Sequence, residues 1–267
     1  MARDTALITG ASTGIGATYA DRLARRGYDL VLVARDARRM TTLAERLTAE
    51  TGAQVDVLPA DLGAAADLAR VEQRLRDDAA ISVLVNNAGM AGGGTVLHAE
   101  PDRMEAMIRL NVVAVTRLAV AIAPRLARQG CGTIINLSSV TAVMAPAIGP
   151  VYPGTKAFVL SFTEALAEEL GPLGVRVQVV LPGATRTEIW ERSGHDINAY
   201  PPEAIMEVGD MVDAALAGLD LGERVTIPSL PEMVEWQALI DARDHLRPNL
   251  SRSQPAGRYL KASAKAA

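Results

Sequence analysis

Cysteine is almost missing from this sequence: Cys131 is the only one in 267 residues. A lone thiol can close no intrachain disulfide and fits a reducing compartment, so a cytoplasmic protein is expected. Aromatic residues are scarce too, at 3%. Ala, Val and Leu must therefore fill any core, and no aromatic series is available to stack on nucleic-acid bases. Histidine supplies only His98, His195 and His245, none at ligand spacing, so no metal site is expected. Positive charge is nowhere concentrated, and the formal net charge is −4, which argues against a nucleic-acid partner. No run of about 18 apolar residues suggests a membrane span. Met-Ala-Arg-Asp leads straight into a strand-like run, without the build of a secretory leader.

What remains is ordinary soluble usage, 49% hydrophobic and 22% charged, at a length that suits one sizeable domain. Strand-like runs at 5–9, 29–34, 54–59, 81–85, 132–139, 175–181 and 224–228 alternate with helical patterns at 17–26, 37–51, 64–78, 102–129, 152–170 and 206–218. Several strands are apolar throughout rather than alternating, as burial on both faces requires. The pattern predicts an α/β fold, a Rossmann-type doubly wound parallel sheet of about seven strands with helices on both faces. Residues 1–267 read as a single dinucleotide-binding and catalytic domain. Within it, 188–205 is expected to form a substrate loop. A C-terminal extension, 229–267, has a helical stretch over 231–246 and a tail expected to be disordered.

The first strand runs into Gly10-Ala11-Ser12-Thr13-Gly14-Ile15-Gly16. A strand, a glycine-rich turn and a helix N-terminus together offer backbone N–H groups to a phosphate. Gly10 permits the tight turn, Gly14 the approach of backbone to pyrophosphate, and Gly16 close helix–strand contact. Ser12, Thr13 and Ile15 join them as expected cofactor contacts. The spacing is G-x-x-x-G-x-G rather than G-x-G-x-x-G. At the end of the second strand, a carboxylate would accept from the ribose 2′-OH of NAD, whereas a guanidinium would accommodate the 2′-phosphate of NADP. Register puts Ala34 at that position, with Arg35 next and Asp36 turned towards the following helix, so NADP is favoured and NAD is the alternative. Asp61 and Leu62 follow the third strand at its carboxyl end, where Asp61 could reach the adenine amine or cap a helix. Asn86-Asn87-Ala88-Gly89 follows the fourth; its small residues Ala88 and Gly89 let the backbone approach a flat cofactor ring, the Asn side chains can pin neighbouring strands, and Asn87, Ala88 and Gly89 are expected cofactor contacts.

Tyr152 and Lys156 lie one helical turn apart in Tyr-Pro-Gly-Thr-Lys, with Ser139 thirteen residues upstream. A phenol with an ordinary pKa of about 10 is a poor acid/base near neutrality, and an adjacent ammonium is expected to pull it down. Asn111 sits inside a helical pattern that its amide disfavours, which predicts a local bend.

With these motifs in order, the sequence resembles the short-chain dehydrogenase/reductase family over roughly residues 4–230. The resemblance rests on TGASTGIG (9–16), Asp61, NNAG (86–89), Asn111, Ser139, YPGTK (152–156) and the Pro-Gly-x-x-x-Thr run (182–187). It departs at Ala142, where the family often has glycine, and in the longer stretch after 230. The resemblance implies hydride transfer between a nicotinamide cofactor and a carbonyl or secondary alcohol. In that scheme Tyr152 is the general acid/base, Lys156 lowers its pKa and holds the nicotinamide ribose, and Ser139 donates to the substrate oxygen. Asn111 would link Lys156 to solvent through a water. Pro182, Gly183, Thr185 and Thr187 would contact the nicotinamide. It also implies a homodimer or homotetramer built on helices 102–129 and 152–170. Val140, Ala142, Val143, Met144, Ala147, Ile148 and Trp190 would line the substrate side and suit a small apolar carbonyl or alcohol. A non-catalytic dinucleotide-binding regulator or scaffold is the competing reading. It has no need of Asn111, Ser139, Tyr152 and Lys156 together.

Overall fold

The computed structural model describes residues 3–92, 94–144 and 149–263. The chain divides into two compact units, one up to Pro228 and one from Ser229. In the first, strands and helices alternate as β1 (Thr5–Thr9), α1 (Gly14–Arg25), β2 (Asp29–Ala34), α2 (Ala37–Thr51), β3 (Val55–Pro59), α3 (Ala65–Asp77) and β4 (Ile81–Asn86). A long helical rod follows, composed of α4 (Pro101–Ile108), a π-helical turn (Arg109–Ala114) and α5 (Val115–Gln129). After it come β5 (Thr133–Leu137), α6 (Val151–Leu170), β6 (Arg176–Val180), α7 (Ile189–Ser193), α8 (Val208–Asp220) and β7 (Val225–Thr226).

The seven strands form one parallel sheet in the order β3-β2-β1-β4-β5-β6-β7. The order reverses between β1 and β4, so a crevice opens at the carboxyl ends of those strands, where ligands of doubly wound sheets bind. Side chains alternate across the sheet and divide the core in two. Ile8, Leu32 and Val85 face Tyr19, Met40 and Met211 on one side. Leu7, Val33 and Leu84 face Val71, Leu118 and Leu170 on the other. This two-sided burial is why the interior of β1, Ala6, Leu7 and Ile8, is apolar on both faces.

Some boundaries differ from the sequence reading. α1 begins at Gly14 instead of residue 17, so the phosphate-binding turn already supplies its first helical residues. β5 ends at Leu137, which leaves Ser138 and Ser139 beyond the named strand. The 102–129 helix is not continuous, because the π turn inserts around Asn111. The rod Pro101–Gln129 is long and apolar enough to cross a membrane by length and composition alone, an 18-residue stretch of it having a mean hydropathy of 1.7. Half of that stretch is buried inside the fold, as in a core helix. The second unit holds α9 (Met233–Leu246) and α10 (Gly257–Ser263). α10 occupies part of the tail for which disorder is expected; residues 264–267 lie outside the described ones.

Candidate active site

The turn after β1 tolerates no side chains at two of its glycines. Gly10 has φ +66°, and a Cβ there would lie 2.7 Å from Asn87 Nδ2. A Cβ on Gly16 would lie 2.4 Å from the Gly10 carbonyl oxygen, so α1 can approach β1 only through glycine. Thr13 caps α1 in extended conformation without using its side chain, and the first N–H groups of α1 keep their donors for an anion. Thr9, which the sequence reading did not single out, holds the far wall. Its Oγ1 accepts from Asn87 N at 2.9 Å and Ala88 N at 3.0 Å, while Asn87 Nδ2 donates to Thr9 O at 2.9 Å. The signal was a hydroxyl at the carboxyl end of a strand that is buried throughout. These backbone-lined surfaces fit a dinucleotide.

At the end of β2, Ala34 is half-buried and Arg35 exposed. The Asp36 carboxylate turns away and accepts from Arg39 N at 3.0 Å, capping α2. Arg39, unremarked in the sequence, pairs with Glu188 at 2.8 Å and links α2 to the start of α7. This guanidinium holds the Glu188 carboxyl below its usual range. Asp61 is exposed and accepts from Gly63 N at 2.9 Å; Ala64 takes the cap position of α3, so Asp61 closes a turn and does not cap the helix. Leu62 is buried beside it.

Beyond β5, Ser138 and Ser139 face different tasks. Ser138 Oγ donates to the Lys156 carbonyl at 2.7 Å, which anchors α6 to the sheet. Ser139 opens a short 3₁₀ turn, its Oγ accepting from Thr141 N at 3.2 Å, and its side chain lies close enough to the Tyr152 phenol to favour the phenolate. Lys156 lies one turn along α6, with Nζ 5.7 Å from the Tyr152 ring centroid and donating to Leu137 O at 2.9 Å. Burial pushes the Lys156 ammonium down to about 8. The Tyr152 phenol is pushed up by burial, against the lowering effect of the Ser139 hydroxyl. The sequence reading expected Lys156 to pull the phenol down; here burial raises it, and only Ser139 acts in the lowering direction.

Asn111 sits in the π turn, where the extra residue swings its side chain out of the helix ladder. Its Oδ1 accepts from Met90 N at 2.8 Å, and its Nδ2 donates to Met90 O at 2.9 Å and Thr155 Oγ1 at 3.1 Å. A Cβ on Gly89 would come 3.3 Å from Asn111 Oδ1 and 3.7 Å from Lys156 Nζ, so glycine keeps the space between them open. After β6, Pro182 and Thr185 are buried, Gly183 O accepts from Thr185 Oγ1 at 3.2 Å, and Thr187 lies against Gly14. Thr187 thus closes over the phosphate turn.

A cleft of about 830 Å³ opens between the 3₁₀ turn after Ser139 and the first turns of α6, with walls from Thr141, Ala142, Val143, Met144, Pro153 and Ala157; neither Ser139 nor Tyr152 lines it. Val140 is half-buried and does not line it. Trp190 does not line it either: its Nε1 donates to Thr185 O at 2.8 Å and its ring meets Tyr200 edge-on at 5.3 Å. Ala147 and Ile148 lie outside the described residues. No group of three or more His, Cys, Asp or Glu able to hold a metal occurs among the described residues.

The model of the short chain dehydrogenase family matches residues 4–198. A short-chain dehydrogenase from Sphingobium yanoikuyae, solved in complex with NADPH, is 52% identical over 96% of this chain and 99% of its own, with a TM-score of 0.93. The bulky-bulky ketone specific alcohol dehydrogenase from Comamonas testosteroni is 47% identical over 96% and 98%, with a TM-score of 0.89. An uncharacterised oxidoreductase of Staphylococcus saprophyticus is 31% identical over 69% of this chain and 79% of its own.

Proposed function

This chain belongs to the short-chain dehydrogenase family, and from that premise we propose that it interconverts bulky, apolar ketones and secondary alcohols with NADP(H). It is an NAD(P)-dependent oxidoreductase acting on CH–OH and C=O groups. The observation that supports the finer reading is the Tyr152 ring set over the Lys156 ammonium at 5.7 Å, with the Ser139 hydroxyl beside the phenol. When bound, the nicotinamide supplies or accepts the hydride.

The chain's own residues handle the oxygen and its proton. Ser139 Oγ donates to the substrate oxygen and stabilises the negative charge that develops there. Tyr152 Oη gives its proton to that oxygen in reduction and takes it back in oxidation. The phenol raised by burial is neutral at physiological pH, the form reduction requires. Lys156 Nζ places positive charge beneath the ring and stabilises the phenolate left behind. Asn111 positions α6 and the Met90 backbone around this ammonium through its three hydrogen bonds.

Arg35 supports the choice of NADP. The one carboxylate near the end of β2 is spent capping α2, while Arg35 stands exposed beside Ala34. The solved relative from Sphingobium yanoikuyae holds NADPH, in keeping with this choice. The cleft between the 3₁₀ turn and α6 supports the substrate class: it is large and walled mainly by Ala, Val, Met and Pro, which suits apolar bulk on the carbonyl. The Comamonas testosteroni relative is named for bulky-bulky ketones. Cys131 as the sole and exposed cysteine suits a cytoplasmic setting.

Turnover of a panel of diaryl, alkyl-aryl and short dialkyl ketones, followed by NADPH absorbance, tests the substrate class. Faster reduction of the small dialkyl ketones than of the diaryl ones would overturn it. Tyr152→Phe should lower kcat/KM by about 10²–10⁴-fold, the usual contribution of a positioned acid/base, with NADPH affinity unchanged. Near-native turnover in that variant would remove Tyr152 from the mechanism.

A further inference from the structure

At the amino ends of the strands, away from the crevice, a second cavity of about 190 Å³ lies between α1, α8 and the sheet. Its floor is apolar, formed by Leu23, Leu216 and Leu219. A row of neighbouring residues crosses β4, β5 and β6 to form one wall: Val83 pairs in register with Thr133, and Thr133 with Arg176. Three features of that lining are unusual. Thr133 is only 2% exposed, yet its hydroxyl makes no hydrogen bond among the described residues. Tyr28 brings a second hydroxyl that is likewise without a partner among them. The Arg176 guanidinium forms no ion pair there either. The other guanidinium, Arg26, is neutralised by both oxygens of Asp220 at 2.9 and 3.0 Å.

The lining therefore carries one uncompensated positive charge, two free hydroxyls and an apolar floor. We propose that this cavity is a binding site for a small monocarboxylate with a compact apolar body. The guanidinium offers a planar fork that matches a carboxylate, and such charge-assisted pairs are the strong ones. The Thr133 hydroxyl lines the cavity and can donate to a carboxylate oxygen there. Leu23, Leu216 and Leu219 take the hydrocarbon. At 190 Å³ the cavity is smaller than the roughly 300–1,000 Å³ of drug-sized pockets, which limits the ligand to about the size of an aromatic or short branched acid. The site shares no residue with the proposed catalytic and cofactor-binding set, so it stands or falls independently of it.

Benzoate is the probe, with benzyl alcohol as its uncharged match. Benzoate should raise the Tm saturably in the full chain, benzyl alcohol should not, and saturating NADPH should leave the benzoate affinity within about two-fold. Arg176→Ala, a change at an exposed position, should weaken benzoate at least ten-fold while NADPH affinity and turnover stay unchanged. Thr133→Val should weaken it several-fold. Three results would each overturn the proposal: no saturable response to benzoate, a response that survives Arg176→Ala, or one abolished by NADPH, which would place benzoate in the catalytic cleft.

Discussion

Lys156 keeps an ammonium at 7% exposure with one hydrogen-bond acceptor, the Leu137 carbonyl. Its ordinary pKa is about 10.4, and burial brings it to about 8. Between those values the unfolded chain holds the proton and the folded chain does not, so stability rises with pH across that window. Below pH 8 the full cost of burying the charge is present. Relative to Lys156→Met, the native chain should therefore gain Tm as pH rises from about 8 to 10. Parallel Tm curves for the two proteins would contradict the buried charge. The raised Tyr152 phenol acts in the opposite sense, above its ordinary value of about 10, and is common to both proteins. A second residue-scale expectation concerns Arg35. A hydrogen bond to a charged group contributes about 1.5–3 kcal/mol. Arg35→Ala should accordingly weaken NADPH about 10–100-fold in a fluorescence titration while NADH changes little. Equal losses would point to NAD.

At the scale of elements, the π turn and the phosphate-binding turn decide the geometry. Asn111→Ala would leave Met90 N–H and C=O without their side-chain partners. Each buried group left unpaired costs about 1–3 kcal/mol. In a domain of this size each kcal/mol lowers Tm by about 2–4 °C. A fall of several degrees is expected, together with a lower kcat as α6 loses its tie through Thr155. An unchanged Tm would mean the turn holds itself. Gly16→Ala forces a methyl to 2.4 Å from Gly10 O, a backbone atom that cannot swing aside. NADPH affinity should drop at least ten-fold and Tm should fall, both measurable on one preparation. The phosphate turn was legible because glycine spacing and its place between strand and helix are local features. The π turn was visible only as an Asn in a helix interior, since the apolar pattern continues through Arg109–Ala114 on both sides.

For the whole molecule, the exposed apolar residues of the long rod and α6 matter. Ile108, Val113 and Val120 are exposed on the rod, Val120 at 58%, and Phe158 is exposed on α6, stacked on Phe162 at 5.7 Å. Apolar patches of this kind on a water-facing side mark contact surfaces. Light scattering should report a homo-oligomer, and Val120→Arg with Phe158→Arg should reduce it to a 28.2 kDa species. A native chain that already runs at 28.2 kDa would dismiss this interface.

The amino-acid sequence alone determined the alternation of strands and helices, the glycine turn and the Ser139, Tyr152 and Lys156 order. All of these are set by spacing along the chain, and a helical turn or a strand register translates spacing directly into geometry. Only the tertiary structure decided how these groups meet across the fold. It paired Thr9 with Asn87 across 78 residues and Arg39 with Glu188 across 149. It turned Asp36 onto its own helix and set Trp190 against Tyr200 beyond the walls of the cleft. It also reversed the expected shift of the Tyr152 phenol, because burial sums over every atom around a group and no window of sequence contains that sum.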